Sequence, residues 1–95
     1  MKEMATDISA EVRDAVIAAY AEYNRLTPEQ VAAGFTGGLE FDSLLGVEMA
    51  CSLEERLGVS IPEAKLAKAS LYKSLDAFAA GIQSCVEDAK KTGQS

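Results

Sequence analysis

The chain has 95 residues, enough for one modest hydrophobic core, and a single domain over residues 1–95 is expected. With 15 acidic and 9 basic residues, the formal charge of −6 argues against nucleic acid or an anionic membrane surface as a partner and favours basic protein surfaces. Hydrophobic residues make up 48% of the chain without any Trp, which predicts a core of Leu, Val, Ile and Ala and suits helices better than strands.

The first predicted helix covers residues 8 to about 24. Apolar side chains recur there at steps of three and four residues, and Thr6 or Asp7 can cap the N-terminus. The recurring positions, which we expect to form the buried stripe of this helix, are Ile8, Val12, Ala15, Val16, Ala19 and Tyr23.

A long connection follows from residue 24 to residue 41. Thr27 and Pro28 can start one helical turn over residues 29–31, but three glycines between residues 34 and 38 favour a loop. A loop of this length is unusual in so small a domain, which suggests a role beyond connection. The residues expected to hold it against the core are Leu26, Val31 and Phe35.

The second long helix is predicted from Asp42 to Leu57. Gly58 supplies the expected stop, and residues 59–62 form an extended link. At roughly 100° per residue, one broad face of this helix is apolar and is expected to face the core. The members of that face are Gly46, Met49, Ala50, Leu53 and Leu57, with Val47 at its edge.

Two further helices complete the predicted fold. A short one begins at Pro62 and runs to about Ala69, and a last one is capped by Ser74. The buried stripe of the last helix comprises Leu75, Phe78, Ile82 and Val86. A polar tail over residues 89–95 should fray, so the ordered core is expected over residues 6–88. The fold class is all-α: a four-helix bundle of three main helices and a short third one, with a long loop between the first two.

An exposed stripe is predicted opposite the core face of the helix from Asp42. Leu44, Glu48, Cys51 and Glu55 are spaced by four, three and four residues, which places them about 180° from the core. An exposed Leu framed by acidic residues is typical of a recognition surface. Taken alone, however, the stripe is better explained as an ordinary solvated face with one exposed Leu.

Ser43 lies at the start of the same helix, directly after the loop. Unpaired backbone N–H groups and the positive end of the helix dipole favour an attached anion at this position. Asp42 or Ser43 can equally be a simple helix cap, which is the commoner explanation for an isolated Asp-Ser pair. The chain has no His and no G-x-S-x-G motif to activate Ser43 as a nucleophile, so any chemistry there is expected to be performed by another enzyme.

The two cysteines and the N-terminus bear on the expected environment of the chain. Cys51 and Cys85 lack C-x-x-C spacing, and without His a metal or redox site is not expected. No stretch resembles a signal peptide or approaches the ~20 apolar residues that span a bilayer. We therefore expect a cytoplasmic monomer with reduced thiols, in which Cys85 is a core residue and Cys51 is exposed.

An ordered set of short motifs runs from Phe41 to Pro62. The motifs are Asp42-Ser43-Leu44, Val47-Glu48, Leu53-Glu54-Glu55 and Gly58-Val59-Ser60-Ile61-Pro62. This set resembles the acyl carrier protein family, and the helix–long loop–helix–short helix–helix plan agrees with that family over roughly residues 6–88. A bare Asp-Ser-Leu is weak evidence, whereas the whole ordered set is specific.

The resemblance implies a carrier without catalytic activity of its own. By it, Ser43 is the residue to which a phosphopantetheinyl transferase attaches 4′-phosphopantetheine from coenzyme A, and the terminal thiol of this arm holds acyl groups as thioesters. Asp42 matches the acid that helps the transferase hold its metal ion. The expected contacts with basic patches of partner enzymes are Leu44, Glu48, Glu54 and Glu55, with Val47 and Cys51 beside them on the same surface.

Several positions depart from the pattern of fatty-acid carriers. They are Leu45, where an acid is common, Arg56 within the acidic run, and Lys65 and Lys68 on the short helix. Phe41 and residues 71–75 look more like carriers of polyketide or nonribosomal peptide assembly. We expect a discrete carrier of a polyketide or other secondary-metabolite pathway, served by a ketosynthase, an acyltransferase or an acyl or aminoacyl ligase. A fatty-acid carrier, a stand-alone peptidyl carrier and an unmodified carrier-like interaction module remain alternatives.

Overall fold

A computed structural model describes residues 8–35, 37 and 39–91 of the chain. Within these residues, five α-helices and one 3-10 helix follow one another and no β-strand forms, which confirms the expected all-α bundle. The elements are α1 (Ala10–Asn24), α2 (Pro28–Ala33), α3 (Ser43–Leu57), α4 (Glu63–Leu66), the 3-10 helix (Ala69–Tyr72) and α5 (Leu75–Lys91). None of the helices in the described ranges is both long and apolar enough to cross a bilayer.

The N-terminus of α1 is capped by Ser9. Its side-chain hydroxyl accepts a hydrogen bond from the Val12 N–H at 3.2 Å, so the helix begins at Ala10, two residues later than expected. The predicted caps, Thr6 and Asp7, lie outside the described residues. Ser9 is therefore the cap that the sequence pattern did not identify.

The core lies where α1, α3 and α5 face one another. The predicted core face of α3 is confirmed, except that Leu57 is only half-buried and Val47, placed at the edge of the face, is exposed. The largest side chains that are fully buried are Phe78, Met49, Leu53, Leu75, Ile82, Val12, Val16 and Val31. The expected core of aliphatic side chains is thus completed by Met49 and three aromatic residues, Tyr20, Phe35 and Phe78.

Tyr23 was expected in the core stripe of α1, and this prediction is wrong. Its side chain is 46% exposed, whereas Tyr20, one turn earlier, is 3% exposed. Tyr23 lies in the last turn of α1, where its hydroxyl donates to the Glu48 carbonyl oxygen at 3.0 Å. The ring therefore lies over the outer side of α3, and Tyr20 fills the core instead.

The connection between α1 and α3 is held against the bundle as expected. Thr27 forms a capping box with Gln30, which starts α2. Phe35 is buried, and its carbonyl oxygen accepts from the Asp76 N–H at 3.1 Å. The guanidinium of Arg13 lies 5.0 Å from the centroid of the Phe35 ring. This connection is therefore tied to both α1 and α5.

The segment between α3 and α5 differs from the expectation. α4 ends at Leu66, earlier than the predicted Ala69, and a separate 3-10 helix follows. Ser74 caps α5 as predicted, since its hydroxyl accepts from the Ala77 N–H at 3.3 Å. α5 continues through Lys91 with Ala89 buried, so the helix extends beyond residue 88, where the polar tail was expected to begin. Residues 92–95 of that tail lie outside the described residues.

Two glycines let the 3-10 helix approach its neighbours closely. A Cβ atom at Gly46 of α3 would lie 2.3 Å from Cε1 of Tyr72. A Cβ atom at Gly81 of α5 would lie 2.2 Å from Cδ2 of Leu71. Both distances are too short for non-bonded carbon atoms, so each glycine leaves space that a side chain of the 3-10 helix occupies.

Candidate functional site

Ser43 is the first residue of α3, and it is exposed. The residue that caps this helix is Asp42, whose Oδ1 accepts from the Leu45 N–H at 2.9 Å and whose carbonyl oxygen accepts from the Gly46 N–H at 3.0 Å. The sequence left open whether Asp42 or Ser43 performs this capping. Because Asp42 does, the Ser43 hydroxyl is not needed to stabilise the start of the helix.

The surroundings of Ser43 suit an attached anion. The N–H groups of Ser43 and Leu44 have no acceptor inside the helix, because intrahelical bonding begins with the Gly46 N–H. The dipole of a 15-residue helix adds positive potential at the same end. Among the described residues, no group of three or more metal-binding side chains occurs.

An aromatic cluster holds the backbone just before Ser43. The Phe41 ring lies 5.1 Å from that of Phe78, 5.9 Å from that of Tyr72 and 6.3 Å from that of Tyr20, measured between centroids. The Tyr20 hydroxyl donates to the Glu40 carbonyl oxygen at 2.5 Å. Burial and the Glu40 charge raise the pKa of Tyr20, so this hydroxyl stays protonated as a donor. These contacts of Glu40 and Phe41 therefore fix the position of the backbone that leads into Ser43.

An open groove adjoins Ser43. Its volume is about 590 Å³, and it extends between the start of α3, the end of α4 and the 3-10 helix. The lining residues include Phe41, Ser43, Leu66 and Tyr72. Because Ser43 itself lines the groove, a flexible group attached to its hydroxyl can fold back into an apolar surface without leaving the protein.

The exposed stripe of α3 lies on the surface that follows Ser43. Leu44 is 69% exposed and Val47 is 46% exposed, so apolar area faces solvent over the first turns of the helix. Glu48, Cys51 and Glu55 are exposed beside them. The structure thus brings together five of the six residues named as partner contacts, on one side of α3.

Glu54, the sixth, is placed differently. It is half-buried, and its Oε2 accepts from the Ile61 N–H at 2.7 Å. Ile61 is buried after the turn at Gly58, so this bond fixes the link that leads into α4. The Glu54 carboxylate is therefore engaged within the fold, and its contribution to an outer surface is smaller than that of Glu48 or Glu55.

Two of the three basic residues that depart from the pattern of fatty-acid carriers, Arg56 and Lys65, have an acidic partner. Arg56 contacts Glu22 of α1 at 3.0 Å, and Lys65 contacts Asp88 of α5 at 2.8 Å. The Asp88 carboxylate raises the pKa of Lys65 through their hydrogen bond and opposite charge. These pairs offset two positive charges locally, so Glu48 and Glu55 dominate the charge along the exposed stripe.

Comparison with known proteins identifies the family. A family model described as the phosphopantetheine attachment site matches residues 14–82, a range that includes Ser43, the groove and the exposed stripe. The chain belongs to this family. Searches among curated proteins and among solved structures returned no match. The protein is therefore a carrier whose prosthetic group is covalently attached 4′-phosphopantetheine, and carriers of this family act with a phosphopantetheinyl transferase and acyl-processing enzymes.

The residues around Ser43 fit a phosphopantetheine group. The hydroxyl is exposed, the adjacent N–H groups can donate to a phosphodiester, and the groove offers apolar contacts to the rest of the arm. Asp42 is also exposed, and its negative charge beside a phosphate would be relieved by a cation bound between them. The carrier thus supplies an attachment point, and the arm supplies the thiol for thioester chemistry.

The three tyrosine hydroxyls form hydrogen bonds that the sequence does not indicate. The Tyr20 hydroxyl donates to the Glu40 carbonyl oxygen, and the Tyr23 hydroxyl donates to the Glu48 carbonyl oxygen. The Tyr72 hydroxyl donates to the Leu66 carbonyl oxygen at 2.5 Å. Burial of the Tyr20 ring next to irregular backbone signals such a bond, because a buried hydroxyl needs a partner, whereas the exposed Tyr23 gives no such signal. The sequence shows the rings but not the carbonyl groups that they reach.

Proposed function

We propose that Ser43 is the residue that carries the 4′-phosphopantetheine arm. The observation that supports this most directly is the position of the Ser43 hydroxyl, exposed at the start of α3 and released from capping by Asp42. In the attachment step, Ser43 Oγ forms a bond to the pantetheine-bearing phosphorus of coenzyme A and loses its proton to the transferase or solvent. The pyrophosphate bond breaks, and adenosine 3′,5′-bisphosphate leaves.

Asp42 has two tasks in this proposal. Its Oδ1 holds the start of α3 in place, and its exposed carboxylate helps the transferase to position a divalent cation next to the incoming phosphate. The cation offsets the repulsion between the carboxylate and the two phosphates of coenzyme A. Loss of Asp42 therefore affects both the helix cap and the modification rate.

The exposed stripe is proposed to bind the partner enzymes. Leu44 and Val47 provide an apolar contact, and Glu48 and Glu55 provide negative charge that complements a basic rim. Cys51 lies within the same surface and is exposed. Contacts of this kind hold the carrier next to the enzyme while the arm delivers its acyl group.

The pathway is proposed to be polyketide or other secondary-metabolite biosynthesis. Leu45 where fatty-acid carriers commonly have an acid, the basic residues Arg56, Lys65 and Lys68, and the aromatic Phe41 before Asp42 support this assignment. The expected partners are a ketosynthase and an acyltransferase or ligase. A fatty-acid carrier or a stand-alone peptidyl carrier is the alternative within the same family.

Attachment is tested by intact mass measurement after incubation with coenzyme A and a broad-specificity phosphopantetheinyl transferase. The wild type is expected to gain the mass of one arm, and Ser43→Ala is expected to gain none. Ser60→Ala is the matched control, because Ser60 is also exposed but lies in the link after α3. A wild type that gains no mass would contradict the proposal in favour of an unmodified interaction module, and a gain that persists in Ser43→Ala would contradict the site.

A further inference from the structure

The groove beside Ser43 is closed at its inner side by Tyr72. This residue lines the groove, and its ring lies in the space left by the absent side chain of Gly46. A Cβ atom on Gly46 would be 2.3 Å from Cε1 and 2.9 Å from Cδ1 of Tyr72, so the ring is in direct contact with the backbone of α3. An unbranched acyl chain has no space to pass between α3 and the 3-10 helix at this point.

Tyr72 is held in this position from three sides. Its hydroxyl donates to the Leu66 carbonyl oxygen at 2.5 Å. Its ring lies 5.9 Å from that of Phe41 and 6.2 Å from that of Phe78, measured between centroids. Phe78 is fully buried directly behind it. The ring therefore separates the groove from the core and cannot turn away without losing a hydrogen bond and two aromatic contacts.

We propose, on the basis of the attachment at Ser43 proposed above, that Tyr72 limits how deeply the tethered acyl group can enter the protein. The occupant of the groove is the arm with the first part of its acyl chain, because the arm starts at a residue that lines the groove. The remainder of a long chain stays outside the core. The carrier consequently does not distinguish long unbranched chains from short ones by burial, and it leaves the distal part of its cargo accessible to partner enzymes.

The test measures thermal unfolding of the carrier loaded with butyryl, octanoyl or dodecanoyl groups. The transferase transfers each acyl-phosphopantetheine from the corresponding acyl-coenzyme A, and intact mass confirms complete loading. Each methylene group that enters the core stabilises the folded state, so four further methylenes would raise the melting temperature by about 10 °C or more. In the wild type, we expect the octanoyl and dodecanoyl forms to melt within about 2 °C of each other.

Replacement of Tyr72 is expected to open the core. In Tyr72→Ala, the dodecanoyl form should melt clearly above the octanoyl form, by about 5 °C or more. Tyr72→Leu is the second variant in case the Ala variant does not fold, since Leu keeps part of the apolar volume. Tyr72→Phe is the matched control: it keeps the ring, loses the bond to Leu66 and should behave like the wild type.

Three results would overturn this role of Tyr72. They are a wild type that gains stability with chain length, an Ala or Leu variant that gains none, and a Phe variant that behaves like the Ala variant. Failure of the proposed attachment is distinguishable before any melting temperature is measured, because either the wild type would then show no mass gain or Ser43→Ala would still show one.

Discussion

The close contact between Gly46 and Tyr72 leads to a quantitative prediction for Gly46→Ala. In the middle of an exposed helix, this substitution stabilises a protein by about 0.5–1 kcal/mol, because Ala loses less conformational freedom on folding than Gly. Gly46 is instead buried in α3 against the Tyr72 ring. The sign of the effect therefore depends on whether that ring can move.

The structure indicates that the ring moves only at a cost. The new Cβ atom would lie 2.3 Å from Cε1 of Tyr72 and 3.3 Å from Cε1 of Phe78. The hydroxyl bond to Leu66 and the tilted contact with the Phe41 ring oppose a shift of the Tyr72 ring. Inserting a methyl group into such a site costs about 1–3 kcal/mol. After the gain in helix propensity, Gly46→Ala is expected to destabilise the fold by about 1 kcal/mol.

A double-mutant cycle measured by urea unfolding checks this reasoning. In a Tyr72→Ala background the obstructing ring is absent, so Gly46→Ala should stabilise the fold by up to about 1 kcal/mol. The two effects of the same substitution then differ by about 2 kcal/mol, which is the coupling between the two positions. If Gly46→Ala stabilises the protein that retains Tyr72, or if the coupling is close to zero, the packing described above is contradicted.

Three further predictions concern the surface, the loop and the thiols. Glu48→Lys should slow arm attachment or acyl transfer while changing the free energy of unfolding by less than about 0.5 kcal/mol; a large loss of stability would show that Glu48 has a structural role. Tyr20→Phe removes the donor to the Glu40 carbonyl oxygen, so it should lower the free energy of unfolding by about 1 kcal/mol and slow arm attachment at Ser43. An unchanged attachment rate would show that the position of the loop at Glu40 does not affect the modification of Ser43. Burial raises the pKa of the Cys85 thiol above its ordinary 9.0, so the unfolded chain releases this proton at a lower pH than the folded chain, and stability should fall as the pH rises above 9.0. In pH-dependent unfolding experiments, Cys85→Ala should reduce this fall in stability, and a dependence of stability on pH unchanged from that of the wild type would contradict the burial of Cys85. The exposed Cys51 should react with a thiol reagent much faster than the buried Cys85.

The sequence predicts α3 and its two faces well because the pattern there is regular and both ends are marked. The apolar residues follow the helical period, and Gly58 adopts the left-handed backbone with φ of 68° that ends the helix. No glycine marks the C-terminus of α1 in the sequence, because the residue that adopts the left-handed conformation there is Arg25, with φ of 57°. Periodicity alone also places Tyr23 inside, whereas its side chain is exposed and Tyr20 fills the core.

The site could be predicted only in part, for a physical reason. Spacing places Ser43, Leu44 and Glu48 on α3, but it does not reveal which polar groups bond to each other across turns. Asp42 and not Ser43 caps the helix, and Glu54 bonds to Ile61 across the turn after α3. The 3-10 helix was missed because its position depends on the glycines of two neighbouring helices and not on a period of its own.

The most direct test of the central claim is to locate the arm on the modified protein. After the transferase reaction, the intact holo form is fragmented in the mass spectrometer, and the added mass is assigned to a residue. We expect the arm on Ser43 alone, with every fragment that lacks Ser43 unmodified. An arm located on any other residue, such as Ser52 or Ser60, would contradict the assignment of the exposed serine at the start of α3 as the attachment site.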